Sequence, residues 1–393
     1  MISMVFDISS ILYRVAAVQK AKNYDNLPAE DLVGLCMHVS LQSIKRWYEK
    51  YHPDKVIFAF DGANNWRKKY TAARSVTIPK QYKENRVVDP TMAHLYKLLG
   101  EFYETMKAHT SISCIKVETL EADDIIAGYA QKFAGPDHTV LILSSDKDFI
   151  QLLKNPNVKL INPDDGKLRN QPGDKHYEEN LDYWLFIKCV RGDAGDNVHS
   201  AFPKVRETKI KAAFDDEFTR TNFMNEQWGD YSEEEAKILV ENKLFSTVDE
   251  VLALKKYRVG DLFEQNKTLM SLFDQPAEIR SLLFSEIEKQ LSTTSTYNHF
   301  HFLTFCGKYK LEKVADDAAK FLALFSCNQT TLASGPKLRP ADFIQDIDKT
   351  IRATKSKALD TALDTASSKT SSLKDKLKSL QSGTNQKPSM FSY

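Results

Sequence analysis

Net charge is almost absent from this 393-residue sequence: 54 Lys and Arg stand against 53 Asp and Glu, so the overall balance names no partner. Cysteine is scarce as well. Cys36, Cys114, Cys189, Cys306 and Cys327 form no C-x-x-C pair and no zinc spacing, which removes thiolate metal sites from consideration. Their odd number, with no secretion signal in front of them, predicts reduced thiols in a cytoplasm. No apolar run approaches the ~20 residues that a membrane span needs, so no membrane partner is expected. A calcium loop of D-x-D-x-D-G type is also missing, which disfavours calcium storage. What remains is ordinary packing material, 42% hydrophobic and 11% aromatic, enough for one large domain with appendages or for two domains.

Against this plain background the acids are unusually placed. Asp7 follows the apolar run Ile2–Phe6, and Asp61 follows Val56–Phe60. Glu121-Ala122-Asp123-Asp124 comes shortly after Ile112–Val117, Asp146-Lys147-Asp148 after Thr139–Leu143, and Asp193-Ala194-Gly195-Asp196 after Ile187–Val190. Two carboxylates about 4 Å apart repel by roughly 1 to 4 kcal/mol at effective dielectrics of 80 to 20. Acids gathered in one crevice must therefore take up protons or bind cations. Ligands that are all oxygen select hard cations, Mg²⁺ or Mn²⁺ rather than Zn²⁺. Two such ions side by side are suited to phosphodiester hydrolysis.

The apolar runs alternate with helical patterns at Ile11–Lys20, Asp31–Tyr51, Met92–His109 and Leu120–Phe133, and Val158–Ile161 adds a further strand. Such alternation predicts an α/β fold with a mostly parallel central sheet and helices on both faces. The carboxyl ends of its strands are then where a site belongs. From about Asn180 the pattern is helical, with segments at Asp182–Val190, Ser232–Glu241, Ala277–Gln290 and Val314–Ser326. The expected organisation is a core over 1–179, a helical region over 180–326, and a polar, mostly disordered tail over 327–393. Within the tail, 341–364 and 373–380 have weak helical spacing.

Within the Glu121 motif, spacing leaves open which of Asp123 and Asp124 is a ligand, since all three acids also suit a helix N-terminus. Between Asn65 and Val88, Arg67, Lys68, Lys69, Arg74, Lys80, Lys83 and Arg86 face only Glu84, with Trp66, Tyr70 and Tyr82 interleaved. Bases neutralise phosphates and aromatics stack on unpaired nucleobases, so this stretch is expected to bind a single strand. Lys204, Arg206, Lys209 and Lys211 form a second set suited to duplex phosphates.

Taken in order, these motifs resemble the 5′-nuclease (flap endonuclease) superfamily with its PIN-like core. Phe6-Asp7-Ile8-Ser9 with Leu12-Tyr13-Arg14 is similar to the family's N-terminal motif, and the other acidic motifs are similar to its metal motifs. Tyr82-Lys83-Glu84-Asn85-Arg86 resembles the Tyr-Lys-x-Asn-Arg of its helical arch (about 65–88), whose Lys and Arg contact the scissile phosphate. The phage ribonuclease H subfamily, a replication 5′→3′ exonuclease removing RNA primers and flaps, is the most similar. The resemblance spans about 1–326. It implies a first metal at Asp7, Asp61, Asp123 and Asp146. A second would sit at Asp148 and Asp196, with Asp193 and Glu121 acting directly or through water. Asp124 carries no such role. The stretch Ala201–Lys209 lacks the glycines of the family's K⁺-binding hairpin, which puts a K⁺ site in doubt. The terminal Ser389-Met390-Phe391-Ser392-Tyr393 is similar to peptides that dock on phage sliding clamps.

The expectation is thus a monomeric, two-Mg²⁺ 5′ nuclease (Mn²⁺ as substitute) in which Lys83 and Arg86 hold the reacting phosphate. Its substrates would be DNA and RNA–DNA hybrid at flaps, nicks or forks. A sliding clamp or single-strand-binding protein would engage the tail. Two alternatives stand beside it: a PIN-type endoribonuclease on single-stranded RNA, and a DNA-structure-binding protein with a degenerate site.

Overall fold

The computed structural model describes residues 1–21, 28–74, 80–86, 90–175, 177–252, 256–293 and 295–328. The expectations for the tail beyond 328, and for arch positions 75–79 and 87–89, lie outside them. The described residues of 1–170 and 178–328 belong to one compact unit.

Its centre is a five-stranded parallel sheet: β1 Ile2–Asp7, β2 Lys55–Phe60, β3 Ser113–Lys116, β4 Thr139–Leu143 and β5 Val158–Ile161, in spatial order β3-β2-β1-β4-β5. The strands read as continuous apolar runs because both faces are covered. On one face Val5, Ile57, Ile115, Val140 and Ile142 pack under Ile125, Ile126 and Tyr129 of α5 (Ala122–Phe133). The alternating residues turn the other way. Phe58 stacks on Phe102, and Phe60 meets Tyr103 edge-on, both partners lying on α4 (Pro90–His109). The remaining core helices are α1 (Ile8–Ala21), α2 (Ala29–Tyr51) and α3 (Trp66–Ala73). Strand order reverses at β1, between β2 and β4, so a crevice opens at the carboxyl ends of those three strands.

Ten helices follow among the described residues: α6 Leu181–Arg191, α7 Glu207–Asp215, α8 Glu217–Asn225, α9 Glu233–Glu241, α10 Val248–Leu252, α11 Val259–Met270, α12 Ala277–Leu291, α13 His299–Lys308, α14 Glu312–Asp316 and α15 Ala318–Phe325. A two-stranded antiparallel pair, β6 Gln227–Trp228 with β7 Tyr257–Arg258, interrupts them. One detail differs from the sequence reading. The helix expected over Val314–Ser326 is broken at Asp317, which leaves helical geometry (φ −93°, ψ 12°) between α14 and α15. The Asp317 side chain makes no cap bond there and accepts instead from the Lys320 ammonium (2.7 Å). The segment Lys147–Lys154 after β4 is a 3₁₀ helix.

Candidate active site

Local geometry brings the acids to the crevice. Asp7 ends β1, where its Oδ1 accepts the Ser10 N–H (2.8 Å). Asp61 lies just past β2 and accepts the N–H of Ala122 (2.9 Å), the first residue of α5. Gly62 makes that approach possible: a Cβ there would sit 2.1 Å from the Val117 carbonyl oxygen. Asp123 lies in the first turn of α5. Asp146 caps the 3₁₀ helix by accepting the Asp148 N–H (2.8 Å). After α6, Gly192 takes φ +69°, and a side chain there would meet Val198 O at 2.4 Å. The turn it permits directs Asp193 and Asp196 back toward the sheet: the Asp193 Oδ1 accepts the N–H groups of Gly195 and Asp196.

Electrostatics define which acids share a space. Burial, then Asp61 and Asp146, push the Asp7 carboxyl up to about 8, against the opposing Ser10 hydrogen bond and Lys83. Burial, then Asp146, Asp7 and Glu121, raise Asp123 well above the carboxylate range. Asp61 is raised by surrounding protein and by Glu121, yet remains open to solvent, which screens it. Asp148 is pushed to about 6 by burial, with Asp146 and Asp193 adding to it and Lys188 opposing. Asp146 is thus felt by Asp7, Asp123 and Asp148, and links two groups of acids.

Each group already holds a lysine. Lys83 Nζ bonds Glu121 Oε1 at 2.5 Å and lies 3.7 Å from Asp196. Lys188, on the last turn of α6, bonds Asp148 and stands 3.4 Å from Asp193. Sequence reasoning passed over Lys188. Its signal was its position one helical turn before the Gly192 motif. Arg86 bonds Asp196 Oδ1 at 2.7 Å, and the main chain of the arch docks on the same loop through Lys83 N to Asp196 O (2.9 Å) and Asn197 Nδ2 to Gln81 O (2.8 Å). Lys83 adopts φ +56° in that docked turn.

Two expected nucleic-acid contacts are corrected. Arg67 is 3% exposed; its guanidinium pairs with Asp124 (Nη2–Oδ1 2.7 Å) and Glu121 (Nη1–Oε2 2.9 Å), so it is spent inside the protein. Tyr82 is 5% exposed, with its hydroxyl between Glu121 (3.0 Å) and Asp196 (2.8 Å) and one proton for the two, and no ring face is left for a base. Lys68, Lys69 and Lys80 are exposed. In the second set Lys204 and Arg206 are exposed, whereas the Lys209 ammonium bonds Glu226 and lies over the Phe202 ring. Asp124 is fully buried as the partner of Arg67. A separate cavity of about 560 Å³ lined by Arg14, Val39, Lys45, Arg46, Glu49 and Asp164 includes none of the acids at the strand ends.

Whether hard cations fit can be judged from the donors. The set is all oxygen, and Asp7 and Asp123 are raised by burial and by neighbouring carboxylates, a repulsion that a hard cation would relieve. Among the described residues no three His, Cys, Asp or Glu side chains are grouped to hold an ion as they stand, so holding one would take side-chain movement. No helix among them is long and apolar enough to cross a membrane.

A family model described as the 5′-3′ exonuclease, N-terminal resolvase-like domain matches residues 3–181. Ribonuclease H of Enterobacteria phage T4 is similar at 29% identity over 211 residues, 51% of this chain and 63% of that protein. A 5′-3′ exonuclease of Buchnera aphidicola is 28% identical over 219 residues, 53% of this chain and 67% of that protein. Flap endonuclease Xni of Tolumonas auensis is 30% identical over 152 residues, 38% of this chain and 53% of that protein. The chain therefore spans a little less than two thirds of the phage relative's length. Among solved structures, a phage T5 protein co-crystallised with metal ions superposes with a TM-score of 0.49 at 16% identity, over 75% of this chain and 99% of that one, too distant a likeness to bear on function. The stretch similar to the 5′-3′ exonuclease N-terminal, resolvase-like domain, residues 3–181, holds every acidic motif but the last together with the arch.

Proposed function

We propose that the protein is a divalent-metal-dependent 5′→3′ exonuclease and flap endonuclease with ribonuclease H activity, acting near the 5′ end of RNA–DNA or DNA duplexes in primer removal. The observation that carries this reading is the gathering of Asp7, Asp61, Asp123 and Asp146 at the carboxyl ends of parallel strands, where Asp61 and Asp146 both act on Asp7, with Lys83 bonded to Glu121 beside them. Relatives named ribonuclease H, 5′-3′ exonuclease and flap endonuclease support it.

Two Mg²⁺ ions, or Mn²⁺ in their place, suit the donors. Asp7, Asp61, Asp123 and Asp146 would hold one; Asp148 and Asp196 the other, with Asp193 and Glu121 direct or through water. Bound there, such ions supply an activated water and offset charge on the leaving oxygen. The chain's own residues position the substrate. Lys83 and Arg86 are counter-ions to Glu121 and Asp196, and a cation that neutralises those acids leaves the same two charges to bind the phosphate. Exposed Lys68, Lys69 and Lys80 track the single strand, and Lys204 and Arg206 hold duplex phosphates. The protein acts as a monomer, with 327–393 offered to a sliding clamp or single-strand-binding protein.

The test uses a 5′-labelled flap, an RNA–DNA hybrid and unpaired RNA, each with and without Mg²⁺. Cleavage of flap and hybrid only with Mg²⁺ is expected. Cleavage of unpaired RNA alone would favour an endoribonuclease, and binding without cleavage a structure-binding protein.

A further inference from the structure

The interior position of Arg67 gives it a role that its sequence context conceals. Its three guanidinium nitrogens tie α3, on which it sits, to α5 and α11. Nε donates to the Leu269 carbonyl of α11 (2.7 Å), Nη2 to Asp124 Oδ1 (2.7 Å), and Nη1 both to Asp124 Oδ2 (2.8 Å) and to Glu121 Oε2 (2.9 Å). Asp124 is fixed in turn by the Trp66 indole N–H (3.1 Å), the Glu121 N–H (3.2 Å) and Gln275 (3.3 Å). Arg67 itself lies over the Trp66 ring, 4.6 Å from its centroid. Asp124 therefore balances the guanidinium charge, and Arg67 can hold Glu121 by one oxygen. The other oxygen, Oε1, is turned to Lys83.

We infer that Arg67 is a positioning residue: with Asp124 as its counter-ion, it sets the Glu121 carboxylate so that a single oxygen faces the crevice, and it anchors the base of the arch to that carboxylate. The inference rests on the nuclease reading for its kinetic consequence, but its geometric content does not. Lysine would keep the charge but lacks the planar fork that spans two carboxylates at once.

The experiment compares full-length wild type, Arg67→Lys, Asp124→Asn and Glu121→Gln. Binding of Mn²⁺ is followed by loss of the free-ion electron paramagnetic resonance signal, with kcat and KM measured on a 5′ flap. Arg67→Lys is expected to weaken Mn²⁺ binding about fivefold or more and lower kcat at least about tenfold, with KM within about threefold of wild type. Added to Glu121→Gln, it should have little further effect on Mn²⁺ binding, because the two act as a unit. Unchanged Mn²⁺ binding and kcat in a folded Arg67→Lys protein would overturn the inference. So would a rise in KM alone, the mark of a direct phosphate contact. Should Arg67→Lys lose the fold, Trp66→Phe deletes one hydrogen bond to Asp124 and gives the same decision on a smaller scale. If wild type cleaves nothing, the nuclease reading fails, while the Mn²⁺ titrations still decide the role of Arg67.

Discussion

Replacing Arg67 by methionine removes the one charge that, among the described residues, pairs with a carboxylate completely shut off from water. Asp124 is 0% exposed and Arg67 3%, so solvent screening offers no discount. Removing one partner of a buried, hydrogen-bonded pair costs about 3–5 kcal/mol, most of it from leaving the other charge uncompensated. The unfolding entropy of roughly 2.1 cal/mol/K per residue then converts this into a fall in melting temperature of about 4–8 °C for a folded region of this size. Asp124→Asn keeps the shape and removes the charge. The double variant Arg67→Met/Asp124→Asn should therefore recover at least about 1 kcal/mol of the loss, as expected for directly coupled residues. Urea titration of the four proteins, followed by circular dichroism, measures both quantities. A cost for Arg67→Met below about 0.5 kcal/mol is what a solvent-facing arginine would give, and it would refute the buried network. Additive single variants would refute the pairing.

Two further outcomes follow from particular positions. Gly62→Ala places a Cβ 2.1 Å from the Val117 carbonyl oxygen, so the turn must open and carry Asp61 away from the start of α5. We expect kcat on a flap to fall at least about tenfold while far-UV circular dichroism stays unchanged. His199, whose Nδ1 bonds the Ser200 carbonyl, has its pKa lowered by burial, so the folded state prefers the neutral ring. Its contribution is complete above the unfolded value near 6.5 and is lost as pH falls below it. The urea midpoint should thus drop more between pH 7.5 and 5.5 in wild type than in His199→Gln, and equal drops would count against the assignment.

What could be read from sequence was local. Continuous apolar runs such as Val56–Phe60 announce strands covered on both faces, and an acid just past the run marks the carboxyl end, so the sheet and the position of its crevice were both within reach. The direction in which a basic, aromatic stretch faces was not. Trp66-Arg67 and Tyr82-Lys83 follow the same pattern as a solvated nucleic-acid channel, yet Trp66, Arg67 and Tyr82 turn inward. Their partners Glu121, Asp124 and Leu269 lie far away in the chain and become visible only once α5 and α11 are packed. Lys188 escaped for the same reason. It is a helical lysine like any other until the Asp148 and Asp193 carboxylates are folded against it. The break at Asp317 shows a third limit, since an apolar period of helical type continues across two short helices.

The most direct test of the acidic crevice is the initial rate of product release from a 5′-labelled flap at saturating Mg²⁺, for wild type against Asp146→Asn. Asp146 is the acid felt by both groups. If these carboxylates hold the cations that act on a phosphodiester, the substitution lowers the rate at least about a hundredfold and leaves flap binding intact. Equal rates in the two proteins would contradict it.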